Sequence, residues 1–144
     1  LDWTRARQVY GIRGLLEAEA AACARLADED VKARLRAALR NLEAAFTDAN
    51  PSRLYHATTQ FYEVIFTSAG HDIAWEIVQR LNSRISRLRA LTLATTDRRI
   101  SGPAHMARIC EAICNNDAAA AAKAVREHLT DAAEIARTLL EKEG

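Results

Sequence analysis

The chain has 144 residues, a length that suits one domain burying about 70% of its unfolded surface. It is 49% hydrophobic and 27% charged, with only 5 Gly and 2 Pro, a mixture that favours helices over strands. A formal net charge of +1 excludes a global field that would draw it to nucleic acid or acidic membrane. No apolar run is long enough to span a bilayer, and Leu1 opens no signal-peptide pattern. Cys23, Cys110 and Cys114 are odd in number and sit in helical patterns. They read as reduced thiols of a cytoplasmic protein rather than a disulfide framework.

The first helical pattern covers roughly Thr4 to Leu26, with Val9, Ile12, Leu15, Leu16, Cys23 and Leu26 recurring at three- and four-residue steps. Arg13 stands beside Ile12, and Glu17 lies one turn on. Asp28 suits the cap of a second helix, whose stripe is Val31, Leu35, Leu39, Leu42 and Phe46, with Lys32, Arg34, Arg36 and Arg40 on the wet side. Asn50 and Pro51 open the third, since proline's missing N–H costs nothing in a first turn. That helix carries Leu54, Phe61 and Ile65 with Thr58 and Tyr62 interleaved, and Gly70 ends it.

Asp72 begins a long fourth helix to about Thr96, with Ile77, Leu81, Leu88 and Leu91 on a stripe widened by Val78 and Ile85. Arg84 falls within that stripe, so its charged end is expected to face inward. A polar loop, Asp97 to Pro103, leads to a short fifth helix, Ala104 to about Asn115. Asp117 caps the sixth, which runs to near Glu141, and its alanines at 118–122 suit a close helix contact. Short connections make neighbours antiparallel. The expected fold is all-α, an antiparallel bundle of about six helices in one domain, residues 1–144.

His105 starts an inward stripe with Ile109 and Ile113, and His128 falls between Val125 and Leu129 on the last helix. Two histidines on facing helices make a polar spot in an apolar bundle. With Arg13, Thr58, Tyr62 and Arg84 they form a donor-rich set from five helices, without a carboxylate. Such a set suits an anionic guest, most simply a small carboxylate gripped by arginine. Each member also has an ordinary role: a core tyrosine for Tyr62, a bond to its own helix for Thr58, a reach to solvent for Arg84. Taken together, several buried polar groups would each need a separate partner.

Other signals are weak. Arg34, Arg36, Arg80, Arg84, Arg87 and Arg89 lack interleaved aromatics and read as solvated faces rather than a nucleic-acid surface. Cys110 and Cys114, four residues apart without a second thiol pair, read as apolar fillers. There is no Glu-x-x-His pair, glycine-rich phosphate loop or nucleophile elbow, so no enzyme is expected.

Several stretches then form an order that resembles a known family. They are Val9-Tyr10-Gly11-Ile12-Arg13-Gly14-Leu15-Leu16-Glu17, Phe61 with Ala69-Gly70, and Arg84-Ile85-Ser86-Arg87-Leu88-Arg89, followed by His105-Met106-Ala107-Arg108-Ile109 and Asp117 through His128-Leu129. Nearly end to end, the chain resembles the FCD domain, the C-terminal effector-sensing domain of one branch of GntR-type bacterial transcription regulators. The resemblance implies a commonly dimeric helical bundle. It also implies a divalent metal held by an Asp-x-x-x-His pair and two later histidines, with an arginine helping to bind a small organic acid.

The later histidines map onto His105 and His128, and the arginine onto Arg13. The Asp and His positions are Thr58 and Tyr62, poor ligands for a divalent ion, and Ala104 replaces a glutamate. The expectation is therefore a homodimeric sensor of a carboxylate effector with no cofactor, the ligand held by Arg13, Thr58, Tyr62, Arg84, His105 and His128. The alternatives are a Zn, Ni or Mn site using His105 and His128, or a dimerisation module without ligand. Operator DNA is expected to be read only by an N-terminal winged-helix domain outside these residues, and no membrane partner is expected.

Overall fold

The computed structural model describes residues 1–95 and 100–143. Seven α-helices lie among them: α1 (Trp3–Ala21), α2 (Glu29–Thr47), α3 (Pro51–Ser68), α4 (Asp72–Arg84), α5 (Ser86–Ala94), α6 (Gly102–Cys114) and α7 (Ala118–Glu143). A 3-10 turn, Ala22–Leu26, extends α1. The helices pack mainly as α1 on α7, α2 on α3, and α6 against both α7 and α2, in an all-α bundle.

Short polar side chains start five of the helices by accepting a first-turn amide. Asp2, Asp28, Asn50, Ser101 and Asp117 accept from Arg5, Val31, Arg53, Ala104 and Ala120. Pro51 and Pro103 occupy first turns. α6 thus begins at Gly102 rather than Ala104, because Ser101 supplies its cap. Gly70 (φ 74°) closes α3 in the left-handed region. Asn116 (φ 55°) closes the α6–α7 turn. Its Nδ2 donates to the carbonyls of Ala24 and Ala27, both at 2.9 Å, while its Oδ1 accepts from Lys32 Nζ at 2.6 Å. Lys32 therefore leaves the wet side expected for it.

Two expectations about helix faces are corrected. In α1 the inward face carries Ala6, Val9, Tyr10, Arg13, Glu17 and Ala20, whereas Ile12 and Leu15 point outward at 43% and 75% exposure. The single fourth helix is two: the ladder breaks at Ile85 (φ −124°, ψ 22°). Val78, Ile85 and Leu88 are buried as expected, but Trp75, Asn82, Arg89 and Thr92 complete the inward face, whereas Ile77 and Leu91 are exposed. α5 ends at Ala94. The expected helix end at Thr96 and loop positions 97–99 lie outside the described residues.

Candidate functional site

Arg13 and Glu17 stand one turn apart on the inner face of α1. Their side chains are 2% and 0% exposed, joined by Arg13 Nε to Glu17 Oε2 at 2.8 Å and Arg13 Nη2 to Oε1 at 3.3 Å. Removing both charges from water costs several kcal/mol each, and this fork-to-carboxylate geometry offsets the cost. Burial works to lower the Arg13 pKa, but Glu17 with Tyr10 and Tyr62 together outweigh it, and the guanidinium holds its proton more firmly than usual. Its Cζ also lies 5.5 Å from the Tyr10 ring centroid.

Arg89, brought from α5, is the residue the sequence reading missed. It is 3% exposed, donates from Nη1 to Thr59 Oγ1 at 3.3 Å, and stands 4.9 Å over the Tyr55 ring. Burial, and then the like charge of Arg13, push its pKa down, with Glu17 opposing. Tyr62 from α3 joins the same cluster. Burial, then Glu17, drive its hydroxyl well above the usual tyrosine range, so it is a protonated donor at neutral pH. Among the described residues the Tyr10 and Tyr62 hydroxyls are buried without a hydrogen bond of ordinary geometry. Among the described residues the buried Arg, Lys, Asp and Glu side chains are Arg13, Arg89 and Glu17, which together carry a charge of +1.

The other expected residues fall differently. His105 and His128 are buried on α6 and α7 with ring centroids 5.2 Å apart. His105 Nε2 lies 2.6 Å from Asp131 Oδ2, a carboxylate one turn beyond His128 that the sequence reading did not place there. The cavity outside His105, about 450 Å³, is lined by Asp131, Glu127 and Glu134 against Arg108 alone. That rim repels anions, so the donor-rich side of the core is the Arg13–Arg89 side.

Thr58 is buried, but its hydroxyl donates to Leu54 O at 2.8 Å within its own helix. Arg84 is exposed at the end of α4, which corrects the expectation that it faces inward. It lies off the true inward stripe, and Arg89 occupies the interior instead.

The residues present do not fit the divalent ion that the family resemblance implies. Thr58 has turned its proton to the backbone, and Tyr62 keeps its own far above neutral pH. No group of three or more His, Cys, Asp or Glu among the described residues is placed to hold a metal. The Cys110 and Cys114 sulfurs are 4.0 Å apart, and burial with the neighbouring thiol raises the Cys110 pKa to about 12, which keeps it a protonated thiol at neutral pH.

Fold and centre together define an all-helical bundle closed around a charged interior. Residues 8–131 match the model of the FCD domain, and the chain belongs to that family. FCD domains are effector-binding regulatory domains of GntR-type transcription regulators. No curated protein sequence matches the chain. Among the described residues no helix is long and apolar enough to cross a membrane.

Proposed function

We propose that this chain is the effector-sensing and dimerisation domain of a GntR-type cytoplasmic regulator, binding a small carboxylate in the bundle core without a metal. The observation that carries the reading is the uncompensated positive charge of the core. Among the described residues Glu17 pairs with Arg13, and Arg89 meets the Tyr55 ring and the Thr59 hydroxyl rather than a carboxylate of its own. A guest bringing one negative charge balances the centre, where a fork of N–H donors is worth more than in water. Arg89 and Arg13 are its anchors, Tyr62 a neutral donor, and Thr58, His105 and His128 the wall that sets shape. Arg84 is left out.

Binding at the core would act on operator DNA through a winged-helix domain outside these residues. The chain by itself is not expected to read operator DNA, and a sequence-specific, salt-sensitive affinity for operator would contradict this.

The test is thermal denaturation against a panel of small mono- and dicarboxylates. A ligand present at 100 times its Kd adds about 2.7 kcal/mol to stability. Arg89→Met removes that gain while the variant stays folded. Absence of any carboxylate response in the wild type overturns the effector reading. One tightly held metal ion per chain, in protein purified without chelators, overturns the metal-free part.

A further inference from the structure

The outer face of α1 gives the strongest unassigned feature. Between α1 and α7 runs an open groove of about 610 Å³, and Leu15 projects from its wall at 75% exposure. One turn earlier, Gly11 leaves a space where a Cβ would meet nothing within 4 Å. Arg7 and Glu19 line this groove on α1, on either side of Gly11 and Leu15, and Arg126 and Glu134 line it on α7, on either side of Thr130. All four are exposed and have no ion pair among the described residues.

These residues are paired by symmetry. On α1 the midpoint of Arg7 and Glu19 is position 13, and so is the midpoint of Gly11 and Leu15. On α7 the midpoint of Arg126 and Glu134 is position 130. The helices are antiparallel neighbours, because Asn116, just before α7, bonds the 3-10 turn that follows α1. Gly14 sits beside Leu129, where an added Cβ would lie 3.9 Å from its Cδ1. Stepping back one residue on α1 and forward one on α7 puts positions 13 and 130 at about the same height, at ~1.5 Å rise per residue. A two-fold axis lying in the interface and perpendicular to both helices therefore satisfies both helices at once.

We propose that this groove is the docking face for a second copy of the chain, with α1 laid antiparallel on the α1 of the partner and α7 on its α7. Each Leu15 enters the space left by the other copy's Gly11. Each Arg7 meets a Glu19 across the axis, and each Arg126 a Glu134, so every contact occurs twice, as an isologous interface requires. A partner without this charge order meets like charges at one end or the other. The inference deepens the self-association part of the function proposed above and is independent of the effector part.

The test is the dimer dissociation constant by sedimentation, with circular dichroism confirming the fold of each variant. Arg7→Glu places two acidic side chains together on each side of the axis, and Glu19→Arg two basic ones. Each weakens the dimer about tenfold or more. The double variant Arg7→Glu/Glu19→Arg restores the pairing with its polarity reversed and recovers most of the lost affinity, which a fold defect would not do. Leu15→Asp yields monomer at concentrations where the wild type is dimeric. A monomeric wild type overturns both this interface and the self-association reading. A dimer indifferent to all three changes overturns the interface alone, and the carboxylate melting experiment reports separately on the effector.

Discussion

At the scale of single residues, the core is held by charges that depend on one another. Glu17→Ala strands Arg13 in an interior that also holds Arg89, so it is expected to cost about 3–5 kcal/mol in urea unfolding, the range for breaking a buried pair. Arg89→Met removes an uncompensated charge and leaves the empty domain as stable or more so. If Glu17→Ala costs under 1 kcal/mol, the pair is not desolvated as described.

Tyr62 makes a pH prediction. Its folded pKa lies above the value of 10.0 it would have unfolded, so the unfolded chain ionises first. Stability from this group is fully present below pH 10 and falls as pH rises beyond it. Spectrophotometric titration should find Tyr62 silent until the helical signal collapses, and Tyr62→Phe should flatten the alkaline limb. The pair Thr58→Asp with Tyr62→His offers a converse check. It restores the acidic oxygen and the imidazole that the family resemblance implies at these two positions, and should bind one divalent ion per chain where the wild type binds none.

At the scale of elements, caps and breakers were the legible part. Asp28, Asn50 with Pro51, Gly70 and Asp117 mark their helix ends in sequence because each acts through its own backbone neighbours. Helix faces were less legible wherever the inward stripe is polar. In α1 the buried positions hold Arg13 and Glu17, and much of the rest is alanine, while Ile12 and Leu15 face outward. Any reading that follows the largest apolar residues is turned by about one position.

The same disguise operates from Trp75 to Thr92, where Asn82 and Arg89 interrupt the true stripe and Arg84 sits beside it. The step of Asn82, Ile85 and Arg89 at three and four residues was the available signal. Asn116 works at this scale too, since its amide satisfies two carbonyls of another element. Asn116→Ala loses those bonds and strains a left-handed turn, for a cost of about 2–3 kcal/mol. Asn116→Gly keeps the turn, and should recover about 1 kcal/mol of that loss.

At the scale of the molecule, an all-α bundle followed from composition and periodicity, and the family from motif order. Long-range partners did not. Nothing in spacing places Asp131 against His105, or Arg89 over Tyr55, because both depend on how separate helices are rotated about their axes.

That rotation has a consequence for α1. One face of this helix holds Arg13 in the charged centre, and the opposite face carries Leu15 and Gly11 into the groove. A guest that pulls on Arg13 applies a torque to a rigid shaft. A turn of about 20° at a radius of ~5–6 Å moves the outer side chains by roughly 2 Å, enough to take a leucine out of register with a one-residue hollow. Occupancy of the core and the hold of one copy on another then become linked equilibria. Any carboxylate that raises the melting temperature should change the dimer dissociation constant, and dimerisation should change its affinity by the same factor. An unchanged constant at saturation would mean that the shaft does not turn.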